Sequence, residues 1–424
     1  MCECLYSSRL DNYLKQSSTL WMLLAQVVSI VGFATYPSAL VQIKQEWALS
    51  NFQAGTIASS FFLGYVAVVS MATSLTDRID ARRIYILGAF ASSLGSACMA
   101  FLANSFSGAL ISVMLTGAGV SATYMPGLKI LSDRVERGQL TRHISFYTAF
   151  FGVGTALSYF SSGLMIELYG WRSAFMVAAI GPLLAGTIVC FVLKALPNDL
   201  GWLDLKLSLS DVFPVKRWKQ VMKTQDAFSY MLGYAVHSLE LFATRSWMVT
   251  YFIFCAKNSG QDHFFPVAAS LLVAIINLAG VPASIIGNEI ALKIGRRQWI
   301  TTTMLVSAGL GFLAGFMPGF PWYIIVLVML VYNLFVMADS ATLTAGLVIS
   351  VPQEIKGVAL GLHSLMGFGG GLLGPALFGA ALDVSSIPLW PLPTWLFSFT
   401  TIILFSILFA LLQPFKNRRQ HEHL

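Results

Sequence analysis

The feature that most constrains this chain is a succession of apolar runs, each about as long as a lipid bilayer is thick. A helix needs about 20 mainly apolar residues to cross the hydrocarbon core. Twelve runs qualify: 20–43, 52–75, 84–103, 108–131, 144–168, 173–193, 228–255, 266–292, 299–317, 322–350, 358–382 and 395–412. Lipid permits only helices and closed barrels as spanning structures, and the length of these runs selects helices. Charged residues make up 11% of the 424, less than half of the about 25% usual in a soluble domain. A soluble fold has too little interior to hide this much apolar surface, so the solvent must be lipid. That excludes a disordered chain, a nucleic-acid binder and an ordinary cytosolic enzyme.

Basic residues set the expected topology. With the N-terminus in the cytoplasm, 22 of the 26 Lys and Arg fall on cytoplasmic segments. Lys44, Arg172 and Lys257 fall on outer loops, and Arg245 lies within span seven. Positive charge resists translocation, so this asymmetry predicts both termini inside and an even number of spans. The net charge of +7 therefore reads as topology, not as a nucleic-acid patch. The expected organisation is a cytoplasmic tail (1–18), a six-helix bundle (19–193), a cytoplasmic central loop (194–226), a second bundle (227–413) and a cytoplasmic tail (414–424). The central loop carries Lys216, Arg217, Lys219 and Lys223 beside Trp202 and Trp218, which suits an amphipathic piece at the interface. No cleavable signal peptide is expected, because the first apolar run is too long for one. The five cysteines have neither CxxC nor metal-ligand spacing, so no metal and no cofactor is expected.

The halves echo each other at an offset of 216 residues. Gly154, Gly163 and Glu167 in span five fall opposite Gly370, Gly379 and Asp383 in span eleven. The basic loop from Asp77 to Arg83 has a weaker echo from Lys293 to Arg297. Parallel six-helix repeats about an axis normal to the membrane are one transporter architecture. Here the chain resembles the major facilitator superfamily along nearly its whole length. The family's loop signature after span two runs Gly-x-Leu-Ala-Asp-Arg-x-Gly-Arg-Arg; Leu75, Asp77, Arg78 and Arg82 match it, while Thr73 and Asp80 stand where the family has Gly. The second copy keeps Gly295, Arg296 and Arg297 but has Leu292 at the acidic position. Gly170-Trp-Arg172 and Gly370-Gly-Leu-Leu-Gly-Pro375 also look like the family, whereas Val113 stands where its span-four signature has Arg. The stretches 124–129, 234–240 and 338–345 are similar to bacterial carriers of the nitrate and cyanate branch. The resemblance implies an all-α membrane protein: twelve transmembrane helices in two pseudo-symmetric six-helix bundles. It also implies a bacterial inner-membrane carrier, monomeric, that works by alternating access. In the family the loop after span two holds the halves together at the cytoplasmic side, which makes Asp77, Arg78 and Arg82 inner-gate candidates. Asp77 would gain from the dipole at the start of span eleven; the plainer reading is topogenic charge. Gly370 and Gly374 allow close helix contact, and Pro375 is a hinge candidate, with packing the dominant role.

Three charges lie well inside spans: Glu240, Arg245 and Asp339. Such groups are costly in lipid and normally face a cavity or a partner. His237 and Glu240 are three apart on one helix and can touch. That makes Glu240 a proton-carrier candidate tuned by His237, or equally a buried pair that ties span seven to a neighbour. Arg245 lies about 140° round the helix from Glu240, so it should meet an anion, another helix or the outer headgroups; its fork suits a small organic anion. Asp339 is a second proton-coupling candidate, free to titrate or to answer Arg245 across the bundle, with Asn333 a possible companion. Tyr36, Tyr124, Thr244, Asn277 and Tyr332 are further cavity candidates, as are Phe33 and Trp247. His363 suits a solvated or capping histidine before a relay.

The leading reading is a secondary carrier of a small solute, coupled to a proton or another ion, with uptake of a small organic anion favoured over efflux of amphipathic compounds. No nucleotide-binding loop is present, so gradients must supply the energy. A polytopic membrane enzyme would need more than His237-x-x-Glu240, half a metal site at most. A receptor on a transporter fold is compatible with the same sequence.

Overall fold

The computed structural model describes residues 19–76, 78–135, 140–193, 212–259, 266–386 and 393–412. Expectations that rest on Asp77, on the tails and on most of the central loop lie outside the described residues. Fifteen α-helices are named here in chain order. The first lobe holds α1 (Thr19–Ser29), α2 (Thr35–Glu46), α3 (Asn51–Leu75), α4 (Ala81–Phe101), α5 (Phe106–Ser132), α6 (Leu140–Tyr169) and α7 (Trp171–Val192). A short α8 (Val215–Met222) precedes the second lobe. That lobe holds α9 (Gln225–Asn258), α10 (Pro266–Ile294), α11 (Arg296–Phe316), α12 (Trp322–Ala338), α13 (Ser340–Ser350), α14 (Lys356–Ser385) and α15 (Thr394–Leu412).

Ten of these, with α12 and α13 counted as one, are long and apolar enough to cross a membrane; α9 and the pair α1 plus α2 complete twelve spans in two six-helix bundles. Span one is α1 plus α2, span seven is α9, and span ten is α12 plus α13. Leu87, Phe90, Leu94 and Phe101 recur along one side of α4 and stay exposed, the mark of a helix whose outer face meets lipid. Thr19 and Leu412 open on one side, the tail side; the opposite side is called the far side.

Span one departs from a continuous helix. Residues 30–34 form turns between α1 and α2. Pro37 lacks an N–H and its ring crowds the carbonyl four residues back, so it fits the first turn of a new helix better than the middle of an old one. Ser158 of α6 fills the gap left in the hydrogen-bond ladder. Its hydroxyl donates to Val31 O (2.5 Å) and accepts from Ala34 N (2.9 Å). Span ten breaks as well, at Asp339, where the Trp299 indole donates to the freed Ala338 carbonyl (3.0 Å). Unwound backbone at membrane depth persists only where the surrounding protein satisfies it. Pro282 and Pro375, by contrast, sit within helices that run on through them.

The lobes meet chiefly along α3 and α14. At about 100° per residue, Gly379, Pro375, Phe368, Gly361 and Gly357 form one stripe on α14. Its far-side half is sealed. Asp383 Oδ1 accepts from Asn51 N (2.9 Å) and Asn51 Nδ2 (2.8 Å), and Oδ2 accepts from Phe52 N (2.7 Å). Lys44 Nζ donates to Asn51 Oδ1. A side chain on Gly379 would overlap the Asn51 carbonyl, and one on Gly55 the Pro375 carbonyl. Midway, Tyr65 stacks on Phe368 with ring centroids 3.8 Å apart. Towards the tail side the stripe parts. Gly361 and Gly357 are exposed, with no atom within 4 Å of where a Cβ would stand. Among the described residues this seam is closed at its far-side end, and the α14 stripe is uncovered at its tail-side end.

Candidate functional site

Beneath the far-side seal a small cavity of about 30 Å³ lies at the junction of the lobes. Gly32, Phe33, Tyr36 and Pro37 reach it from the broken first span, and Phe61 and Phe62 from α3. Tyr159 enters from α6, and Phe242, Arg245 and Ser246 from α9. The break in span one thus places its ring side chains at the lobe boundary. The volume holds about two water molecules, so a solute needs the lobes or their rings to part.

Arg245 is the cation of this cavity. It is 8% exposed, so its guanidinium does not snorkel to the headgroups. Nη2 lies 3.7 Å from the Met337 sulfur, and Nε has no hydrogen-bond partner. Among the described residues no carboxylate pairs with it. The Tyr159 hydroxyl, from the other lobe, donates to the Arg245 main-chain carbonyl (2.7 Å). A buried guanidinium without a counter-ion is costly and suits a forked contact to an incoming carboxylate.

The acids of the second lobe face elsewhere. Asp339 stands 2.8 Å from His237, Oδ1 to Nδ1, with both side chains buried. It therefore meets neither Arg245 nor Asn333, whose Nδ2 donates to the Ile276 carbonyl (2.8 Å). The expected contact of His237 with Glu240 is replaced by this cross-span pair. Tyr234 stacks on His237 at 5.6 Å and on His363 at 3.9 Å, and His363 Nε2 lies 3.1 Å from Thr344 Oγ1. Glu240, 2% exposed, turns into the lobe interior. Ser406 of α15 donates to its Oε2, the hydroxyls of Ser307 and Tyr332 lie beside the carboxyl, and Oε1 makes no hydrogen bond. Thr244 Oγ1 lies 3.3 Å from Tyr332 Oη.

The other sequence candidates scatter around this frame. Tyr36 lines the cavity, its hydroxyl donating to the Ala54 carbonyl (3.0 Å). Tyr124 stacks on Tyr147 and meets Phe151 edge-on. Asn277 donates to Val273 O of its own helix (2.8 Å). Trp247 packs inside the second lobe against Phe378, its indole donating to the Pro375 carbonyl (3.0 Å). Gly370 and Gly374 let α14 lie against the backbone of α9 at Ala235 and Leu239. Arg82 donates to Leu193 O (2.6 Å), a contact within the first lobe, and Arg78 stands at the end of α3. Sequence reasoning missed Phe61, Phe62, Phe242 and Tyr159, because a ring in an apolar span carries no sign of whether it faces lipid, core or cavity.

The family model of the Major Facilitator Superfamily matches residues 22–375. The chain belongs to that superfamily. It is 24% identical over 313 residues to the human voltage-gated purine nucleotide uniporter SLC17A9, covering 70% of this chain and 68% of that one. It is 23% identical over 359 residues to the putative niacin/nicotinamide transporter NiaP of Bacillus subtilis, covering 85% of each. Among solved structures, a bacterial homologue of the human lysosomal transporter Spinster, inward-facing and unoccupied, superposes with a TM-score of 0.76. That match has 15% identity over 95% of this chain and 97% of the other. This superfamily member is thus a multi-pass integral membrane protein of a transporter family.

Proposed function

We propose that this protein is a secondary carrier for a small organic anion, taken up across a bacterial inner membrane by alternating access and driven by a coupled proton. The observation that carries the reading is Arg245: one buried cation, without an acid partner among the described residues, in a cavity at the lobe junction beneath a sealed far-side seam. The tail side is the cytoplasmic side in this reading, as the basic residues require, and the present state faces inward. The lobes, 19–193 and 227–413, rock as bodies about the cavity, in a single copy of the chain. A chain without an ATP-binding loop draws on gradients. His237 with Asp339, and Glu240 in the lobe interior, supply groups whose protonation can favour one state over the other. Of the solutes named for two relatives, a purine nucleotide and niacin are anions at neutral pH and nicotinamide is neutral.

The test is uptake into proteoliposomes under an imposed pH gradient, with a panel of labelled carboxylates. Accumulation of an anion with an inward proton gradient, lost in Arg245→Gln, is the expected result. The aromatic lining also suits amphipathic compounds moved outward, and accumulation of such a compound with the gradient reversed would overturn the uptake reading.

A further inference from the structure

Resting on the anion-carrier reading, we infer that the substrate is a flat aromatic monocarboxylate, held with its carboxylate on Arg245 and its ring between Phe33 and Phe242.

Charge comes first. The cavity offers one guanidinium and, among the described residues, no second cation on its lining. A second negative charge would enter a desolvated site with nothing to balance it, which is costly. A dicarboxylate or a nucleotide fits this lining poorly; a monoanion matches it.

Polar satisfaction comes next. The Tyr36 hydroxyl is committed to Ala54 O (3.0 Å), the Tyr159 hydroxyl to Arg245 O (2.7 Å) and the Thr116 hydroxyl to Ser112 O (3.0 Å). Three of the cavity's five hydroxyls thus donate to backbone carbonyls, while Arg245 Nε is still unpartnered. A sugar acid or hydroxy acid would bury several hydroxyls against a lining that is mostly apolar, at about 1–3 kcal/mol for each one left unmet. A body of bare ring carbons loses nothing there.

Shape decides the rest. Phe33 belongs to one lobe and Phe242 to the other, and their ring centroids stand 6.3 Å apart with planes at 63°. A flat guest between two rings needs about 7 Å, twice a carbon contact distance of about 3.5 Å. The centroids are about 1 Å short of that spacing, and both rings would also have to turn off their packing on Phe61, Phe151 and Phe62 to admit it. A saturated ring is thicker and would force the lobes wider. Phe242 is three residues before Arg245, hence a neighbour on the same helix surface. One ligand can therefore touch both the guanidinium and the ring, and bridge both lobes through Phe33.

The experiment is equilibrium binding to the purified full-length protein in lipid nanodiscs. The probes are benzoate, cyclohexanecarboxylate, benzamide and tartrate, compared in the parent, Arg245→Gln, Phe242→Leu and Phe33→Leu. Benzoate should bind at least tenfold more tightly than each of the other three. Arg245→Gln should abolish that advantage over benzamide. Either Phe→Leu variant should bring benzoate and cyclohexanecarboxylate within about threefold of each other. Two ring variants are used so that one that fails to fold leaves the other to decide. Tartrate or cyclohexanecarboxylate binding as tightly as benzoate, with Arg245→Gln still losing both, would overturn the aromatic inference and leave the anion reading standing. Carboxylate binding that survives Arg245→Gln, or no carboxylate binding at all, would overturn both.

Discussion

Replacing Asp383 with Asn should open the far side of the molecule. The carboxylate accepts three hydrogen bonds from Asn51 and Phe52, at 2.7–2.9 Å, across the lobe boundary. Those donors sit in the first turn of α3, which Ser50 caps, so the negative charge also lies at the positive end of a helix dipole. Asn keeps one acceptor oxygen and turns its amide N–H groups towards other donors. The loss is at least one charge-assisted hydrogen bond, worth about 1.5–3 kcal/mol, plus a dipole contribution of about 0.3–1 kcal/mol. The site is only partly buried, so a net cost of about 1.5–3 kcal/mol to the closed state is reasonable. Each 1.4 kcal/mol is a factor of ten, so the far-side-open population should rise about 10–100-fold. The reporter is a cysteine at Ala58, a buried residue lining the cavity, in a background without other cysteines. Its reaction with a membrane-impermeant thiol reagent added from the far side should quicken by the same factor in Asp383→Asn. A rate within twofold of the parent would show that this latch does not hold the lobes, and the account of far-side closure would fail.

Further expectations test other parts of the structure. Gly379→Ala puts a methyl group onto the Asn51 carbonyl, so it should speed labelling in the same direction even with Asp383 intact; unchanged labelling would mean the helices yield without parting. Ser158→Ala leaves Ala34 N unpaired at the span-one break and leaves Val31 O only the long hydrogen bond from Thr35 Oγ1 (3.5 Å), at about 1–3 kcal/mol for an unmet buried group, and should lower the melting temperature in detergent; an unchanged melting temperature would count against that patch. Glu240→Gln, which keeps the shape of a carboxyl bonded to Ser406, should abolish gradient-driven uptake while sparing counterflow exchange. Equal loss of both would make Glu240 a structural residue.

Much of this architecture was legible in the chain because lipid enforces it. Twelve long apolar runs, a basic side and an offset repeat leave few folds open, and the superfamily match bears that out. The span-one break had a signal in Gly32 and Pro37, but a proline alone does not tell a break from a tolerated kink: Pro282 and Pro375 lie in helices that continue. The pairing of His237 with Asp339 joins positions 102 residues apart, and nothing local points from one to the other. The Asp383 latch was equally hidden: the repeat picked that acid out by its spacing from Gly379, not by the helix end it would meet.

The sequence by itself determined that the chain spans a membrane as paired six-helix lobes, and that Glu240 and Arg245 point in different directions. Helical periodicity fixes that angle at about 140°. It does not fix the rotation of the whole helix about its own axis. Only packing in three dimensions, with α14 against the α9 backbone and Tyr159 bonded to the Arg245 carbonyl, decided that the arginine faces the lobe boundary and the glutamate faces away. The reason is that periodicity relates residues along one helix, whereas burial depends on what the other helices bring to each side.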